Sequence, residues 1–165
     1  MVSKEIWRVK RILLPLDGSE LGEAALPYVE ELAIVTKAEV ILLQVVTPHY
    51  DIALAQGYTS HLGQISEEYI THASATANDY LNSIKERLTK MGITARSEVE
   101  VGSPAERVIA YAKENNVDLI AMSTHGHSGI GRWLLGSVTD KVLHAADRPV
   151  LLVRASAKPT TGEQP

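Results

Sequence analysis

A glycine-rich segment from Met122 to Ser137 carries the residue types best suited to hold a phosphate group. It follows a short apolar run and precedes a stretch of helical periodicity that ends near Ala146. Glycine lets a backbone approach a ligand closely, and the free N–H groups at the start of a helix favour an anion. This segment therefore predicts an anion-binding site, and it is the part of the chain best suited to contact a small molecule.

Two common phosphate-binding motifs do not occur in the chain. The P-loop pattern Gly-x-x-x-x-Gly-Lys-Ser/Thr is absent, and Gly129-x-Gly131 is followed by Leu134 where a dinucleotide-binding motif requires glycine. Ser137 has no evident histidine and aspartate partners in a triad arrangement. The sequence therefore favours a binding protein over an enzyme, and it leaves a slow ATPase or phosphotransferase as an alternative.

Apolar runs alternate with helical patterns along the chain and predict the order β-α-β-α-β-α-β-α-β. Pro27 lies inside the first helical pattern and predicts a kink or a later helix start. Gly92 is expected to end the second helix. Residues 103–106 read Ser-Pro-Ala-Glu, a predicted capping box with proline at the first helical position. The predicted strands cover residues 12–16, 40–46, 94–101, 118–122 and 149–153, and the first two helices cover about 20–35 and 66–91.

This alternation predicts a single-domain α/β fold, a three-layer sandwich in which helices cover both faces of a five-stranded parallel sheet. Right-handed crossovers place the turn after the first strand and the glycine-rich loop at the same, carboxyl-terminal edge of the sheet. Small ligands bind at that edge in open α/β sheets, where the strand order reverses. We expect residues 1–154 to form the domain and residues 155–165 to form a flexible tail.

The composition limits the classes of partner. Hydrophobic residues make up 45% of the chain and charged residues 22%, and the formal net charge is −4 without a basic stripe. Nucleic-acid binding, which needs such a stripe, is therefore not expected. No apolar stretch is long enough to span a membrane, the first residues lack a signal-peptide pattern, and cysteine is absent. The expected location is the cytoplasm.

Three stretches together resemble the universal stress protein family. His125-Gly126 is separated by nine residues from Gly136-Ser137, Pro15-Leu16-Asp17-Gly18-Ser19 follows the first strand, and Arg148-Pro149-Val150 precedes the last. The resemblance covers about Lys10 to Val153. It implies the strand order 3-2-1-4-5 in a Rossmann-like sheet, similar to the adenine nucleotide alpha hydrolases.

The resemblance also implies a site for ATP or AMP, with Mg²⁺ or Mn²⁺ held through the phosphates. One group of residues would line the adenosine, and a second group would hold the phosphates through backbone N–H and hydroxyl groups. The first group comprises Pro15, Leu16, Asp17, Val45, Met122 and Ser123, and the second comprises Gly126, His127, Gly136, Ser137, Val138 and Thr139.

Several of these residues have structural alternatives. Asp17 could instead cap the first helix, and Gly136-Ser137 could simply begin the fourth. Ser123 stands where the family motif has its first glycine. Its hydroxyl could bond a sugar oxygen, or its side chain could crowd the ligand.

Other polar residues near the loop have weaker functional interpretations. His125, His127 and His144 suggest a metal site, but no cysteine or placed carboxylate completes a tetrahedral set, so no metal site is expected. Arg132 and Lys141 could meet phosphates or could be solvated surface residues.

The sequence thus predicts a cytoplasmic, adenine-nucleotide-binding sensor or regulatory module. The resemblance further implies a homodimer that pairs through the last strand, Val150 to Val153. A nucleotide-free dimeric stress protein remains the second alternative, and Ser123 is its motivation.

Overall fold

A computed structural model describes residues 8–48, 62–124 and 135–154 of the chain. Its centre is a five-stranded sheet, in which every neighbouring pair of strands is parallel and the order is β3-β2-β1-β4-β5. This order confirms the predicted topology, and β3 and β5 form the two edges. The strands are β1 (Arg11–Pro15), β2 (Glu39–Val46), β3 (Ala95–Val101), β4 (Leu119–Ser123) and β5 (Val150–Val153).

Among the described residues, four α-helices and one 3-10 turn accompany the strands. The 3-10 turn covers Gly22–Ala25 and leads directly into α1 (Leu26–Thr36). The other helices are α2 (Leu62–Lys90), α3 (Pro104–Glu114) and α4 (Ser137–Ala145).

The helices lie on both faces of the sheet and enclose two apolar clusters, as the three-layer prediction required. On one face, α1 and α2 pack against alternate residues of the strands, among them Leu14 and Leu42. On the other face, α3 and α4 pack against the intervening residues, among them Leu13 and Leu43. Both faces of the central strands are therefore buried, which explains why β1, β2 and β4 read as nearly continuous apolar runs.

The structure tests two predictions about where helices begin. The α-helix predicted from residue 20 begins only at Leu26, and Pro27 stands in its first turn, where its missing N–H costs no helical bond. Ser103 does precede α3 and Pro104 does begin it, but no side-chain cap hydrogen bond forms. The predicted capping box is therefore wrong in its bonding, although it places the helix start correctly.

Glycines at two turns adopt a backbone that L-residues avoid. Gly92 follows α2 with a φ of +79° and so ends this helix as the sequence predicted. Gly18, in the turn after β1, has the same φ of +79°. The predicted tail at 155–165 lies outside the described residues. Within the described ranges, no helix is long and apolar enough to cross a membrane.

Candidate nucleotide-binding site

A cavity of about 260 Å³ opens at the carboxyl-terminal edge of the sheet, where β1, β2 and β4 end and α3 and α4 begin. Its size is close to the lower end of small-molecule sites. It collects every predicted site residue that the structure describes, whereas Gly126 and His127 lie outside the described residues. The lining consists of Pro15, Leu16, Asp17, Gly22, Leu43, Val45, Pro104, Val108, Met122, Ser123, Gly136, Ser137, Val138 and Thr139.

One wall of the cavity is apolar. Leu43, Val108 and Met122 are nearly fully buried and belong to the cluster on the α3 and α4 side of the sheet. Val45 and Val138 pack against the same cluster and are only partly buried. A wall of this kind suits a flat, weakly polar ring, such as a nucleobase.

The backbone of Val45 extends past the end of β1. Pairing between β1 and β2 stops at Pro15 and Leu43, and the N–H of Leu16 donates to the carbonyl of Leu43 over 2.8 Å. Backbone groups alternate sides along a strand, so Val45 directs its N–H and carbonyl to the same side as Leu43. These groups reach the cavity edge beyond β1, where they can meet the hydrogen-bonding edge of a base.

Asp17 organises the turn after β1. Its Oδ1 accepts hydrogen bonds from the backbone N–H of Ser19 at 3.0 Å and from the hydroxyl of Ser19 at 2.6 Å. The N-cap residue of the 3-10 turn is Leu21 and that of α1 is Ala25, and the Ser19 hydroxyl oxygen accepts the N–H of Gly22, the first residue of the turn, at 2.9 Å. Asp17 is therefore not the N-cap residue of the 3-10 turn or of α1, as the structural alternative required, and it lines the cavity.

The amino terminus of α4 forms the polar end of the cavity. Ser137 is the first residue of α4, and the N–H groups of its first turn have no partners within the helix. These groups and the helix dipole give the cavity an anion-binding end. Gly136 differs, because its N–H donates to the carbonyl of Thr124 over 2.9 Å. The N–H groups without a helical partner at this end of the cavity are therefore those of Ser137, Val138 and Thr139, and the N–H of Gly136, which the prediction included, is used within the fold.

Thr139 joins β4 to α4 through its side chain. Its buried hydroxyl donates to the backbone carbonyl of Ser123 over 3.0 Å. The hydroxyl proton is therefore already committed, so the part of the prediction that gave this hydroxyl to a phosphate is corrected. Ser123 itself is the last residue of β4, only 8% exposed, and lines the cavity at the position where the family motif has glycine.

Gly22 is a cavity residue that the sequence reasoning missed. Its Cα lies against the carboxylate of Asp17, so that a Cβ at this position would overlap Asp17 Oδ1. A glycine five residues after the aspartate was the only available signal in the sequence, and it looked like one helix residue among others.

A hydrogen bond from α2 holds the 3-10 turn in place. The phenol of Tyr80 donates to Glu23 Oε1 over 2.9 Å. Burial, followed by the hydrogen bond to Glu23 and the nearby carboxylates of Glu23 and Asp17, raises the pKa of Tyr80 well above its ordinary value of 10.0. The protonated phenol is thus the form that stabilises the fold.

We expect Tyr80→Phe to lower the free energy of unfolding by about 1 kcal/mol at neutral pH, because one partly buried hydrogen bond is lost. The folded-state pKa is raised, so this contribution is fully present below about pH 10 and is lost as the pH rises through the folded-state pKa. The stability difference between wild type and variant should therefore shrink above about pH 10. Urea unfolding at a series of pH values measures this, and a difference that grows with pH would contradict it.

Of the histidines and cations near the loop, the structure describes His144 and Lys141. His144 lies in the last turn of α4 and its Nδ1 is 2.8 Å from the carbonyl of Asp140. Among the described residues, no three histidine, aspartate or glutamate side chains come together as metal ligands would. Lys141 is exposed on α4, whereas His125 and Arg132 lie outside the described ranges.

A wider depression of about 650 Å³ lies at the opposite, amino-terminal edge of the sheet. Several of its polar groups bond to one another: Asp118 Oδ2 accepts the backbone N–H groups of Lys10 and Arg11, and the Arg11 guanidinium pairs with Glu39. This edge serves the structure of the strand ends, and the carboxyl-terminal cavity is the better candidate for a ligand.

Comparison with known proteins identifies the group to which this fold and site belong. The sequence model of the universal stress protein family matches residues 8–154. The chain belongs to the universal stress protein family. One relative is the universal stress protein MJ0577 from Methanocaldococcus jannaschii. It is 31% identical to this chain over 153 residues, which cover 88% of this chain and 94% of that protein. Its solved structure superposes with a TM-score of 0.78 and covers 91% and 99% of the two chains.

Two more distant structures of universal stress proteins contain adenine nucleotides. One, in complex with cAMP, is 21% identical with a TM-score of 0.65 and covers 90% of this chain and 99% of its own. The other, from Arabidopsis thaliana with AMP bound, is 14% identical with a TM-score of 0.64 and covers 92% and 97%. At these low identities, the two comparisons show only that this universal stress protein shares the fold of both structures.

Proposed function

We propose that this universal stress protein binds an adenine nucleotide, ATP or AMP, in the carboxyl-terminal cavity and acts as a sensor or regulator. The observation that carries the proposal is the composition of one cavity: an apolar wall, the backbone edge of Val45, the carboxylate of Asp17 and the amino terminus of α4. The AMP and cAMP held by two family structures support it.

The parts of the cavity match the parts of a nucleotide. The base lies against Leu43, Val108 and Met122 and meets the backbone of Val45. The ribose lies between Asp17 and Ser123, because a carboxylate accepts from hydroxyl donors. The phosphates lie at the first turn of α4, where N–H groups and the helix dipole favour negative charge.

We assign a divalent ion, Mg²⁺ or Mn²⁺, only to the phosphates of bound ATP. Such an ion keeps several of its waters and needs few protein ligands when a triphosphate supplies oxygens. AMP binding should therefore be insensitive to Mg²⁺, whereas ATP binding should strengthen with it.

Two measurements test the proposal directly: analysis of the nucleotide that remains bound after purification, and a titration. Purified protein is denatured, the supernatant is analysed for adenine nucleotide, and the stripped, refolded protein is titrated calorimetrically with AMP and with ATP plus Mg²⁺. Saturable binding below millimolar concentration supports the proposal. No heat at millimolar nucleotide would overturn it and favour a nucleotide-free stress protein, and sustained phosphate release from ATP would favour a slow ATPase.

Ser123→Gly tests whether the departure from the family motif matters. We expect the AMP affinity to change by less than about threefold, because Ser123 is accommodated in β4 and the cavity stays open beside it. The same calorimetric titration measures this. A gain of more than about tenfold would mean that the serine side chain crowds the ligand.

We also propose that the protein forms a homodimer through β5. This strand ends the sheet, and Val150, Leu151 and Leu152 are only partly buried. An apolar edge strand left open invites further pairing, and a second copy across a two-fold axis closes it. Light scattering at micromolar concentration should give twice the chain mass, and a monomer mass would contradict the dimer.

A further inference from the structure

We infer that Ser19 and Gly22 are positioning residues that fix the direction of the Asp17 carboxylate and thereby set the affinity for the nucleoside end of the ligand. The inference rests on the proposed nucleotide site. It adds Ser19 and Gly22 to that site, and neither residue needs to contact the ligand through a side chain. Three residues take part, and we refer to Asp17, Ser19 and Gly22 as the aspartate clamp.

The first half of the clamp is a chain of hydrogen bonds. Asp17 Oδ1 accepts from both the N–H and the hydroxyl of Ser19, at 3.0 and 2.6 Å, and the Ser19 oxygen accepts the N–H of Gly22 at 2.9 Å. One carboxylate oxygen is thus bound twice to a single residue, and that residue is itself fixed to the 3-10 turn. Rotation of the carboxylate would break both hydrogen bonds to Ser19 at once, including the short one to the hydroxyl at 2.6 Å.

The second half of the clamp is steric. A Cβ at Gly22 would overlap Asp17 Oδ1 and would lie 3.3 Å from Asp17 Cγ and 3.1 Å from Ser19 Oγ. Gly22 is not one of the glycines with positive φ, so the backbone alone does not require glycine here. The requirement comes from the carboxylate, which lies against Gly22, one of the two buried residues of the turn.

The 3-10 turn is also held from outside the clamp. Glu23, the next residue, accepts the hydrogen bond from Tyr80 of α2. The turn therefore cannot move away easily to make room for a side chain at position 22. An alanine at that position should instead displace the carboxylate, which is the group with space to move because it borders the cavity.

The clamp acts on one end of the ligand only. A carboxylate is an acceptor, so its partners on a nucleotide are the ribose hydroxyls or a base amine, never the phosphates. A displaced carboxylate should weaken AMP binding and leave the affinity of α4 for inorganic phosphate unchanged. This separates the clamp from a general loss of the site.

A double-mutant cycle with Gly22→Ala and Asp17→Ala tests the inference by calorimetric titration with AMP. We expect Gly22→Ala alone to weaken AMP binding about tenfold, the size of one lost hydrogen bond to a charged group. In the Asp17→Ala background, Gly22→Ala should change the affinity less than about twofold, because the group it displaces is gone. Ser19→Ala should weaken AMP binding in the same direction, again only when Asp17 is present.

Gly92→Ala is the matched control. It also places a Cβ on a glycine, here at a φ of +79° with nothing within 4 Å of the added atom, far from the cavity. It should lower the melting temperature without changing AMP affinity. The melting temperatures of the same four proteins without ligand provide a second measurement. The drop in melting temperature caused by Gly22→Ala should be smaller in the Asp17→Ala background.

The outcomes separate the two proposals. If wild-type protein does not bind AMP, the proposed function fails and the nucleoside role of the clamp fails with it. If wild-type protein binds AMP but the effects of Gly22→Ala and Asp17→Ala simply add, the clamp is overturned and the proposed function stands. An equal loss of inorganic phosphate affinity in Gly22→Ala would also overturn the clamp.

Discussion

Replacing Ser137 with proline is expected to weaken AMP binding between about tenfold and a hundredfold while leaving the stability of the fold nearly unchanged. Ser137 is the first residue of α4, where proline fits the helix and its missing N–H breaks no helical bond. Gly136 has a φ of −59° and a ψ of 149°, the conformation that a residue before proline prefers. The substitution thus removes one phosphate donor without disturbing the helix.

Ser137→Ala is the control, because it keeps the N–H and removes only the hydroxyl. It should cost less AMP affinity than the proline variant. Calorimetric titration gives the affinities, and urea unfolding confirms that both variants fold. Equal affinity of the proline variant and the wild type would mean that the phosphates do not bind at the first turn of α4.

Leu42→Ala should have the opposite profile, with a loss of about 3 kcal/mol in the free energy of unfolding and no change in AMP affinity of the folded protein. Leu42 is fully buried in the middle of β2, on the face covered by α1 and α2. The apolar wall of the cavity belongs to the cluster on the other face, so we expect the void left by the substitution not to reach it. Urea unfolding measures the loss, and titration under native conditions measures the affinity.

Leu143→Ala provides a matched control for the stability effect. It removes the same atoms from a leucine of α4 that is 41% exposed, and we expect a loss below about 1 kcal/mol. A loss in Leu42→Ala no larger than that of Leu143→Ala would contradict the position assigned to the core. A large drop in AMP affinity for Leu42→Ala would show that the two faces of the sheet are not independent.

The fold was predictable because the strands carry strong and redundant signals. Leu13, Leu42 and Ile120 lie in apolar runs that only a sheet covered on both faces can bury. Gly92 and Pro27 marked a helix end and a delayed helix start through backbone chemistry that does not depend on tertiary contacts. The apolar runs placed each of the five strands within one residue of its observed bounds.

The hydrogen bonds at the cavity were less predictable, because they depend on which groups the fold brings together. Ser103 precedes α3 as expected, yet its side chain makes no cap bond. The Thr139 hydroxyl donates to Ser123 in β4, and the Gly136 N–H donates to the next residue, Thr124. Both bonds depend on how close the fold brings two segments that are separated in sequence. The role of Gly22 became visible only when the Asp17 carboxylate was found resting on it.

Amide chemical shifts recorded during an AMP titration test the central claim most directly. The claim predicts saturable shifts for Asp17, Val45 and the first turn of α4 from Ser137 onward, all at the carboxyl-terminal edge of the sheet. The amides of Lys10 and Asp118, at the opposite edge, should stay unchanged and serve as an internal control. Saturable shifts at the amino-terminal edge, or no shifts at millimolar AMP, would contradict the assignment of this cavity as an adenine-nucleotide site.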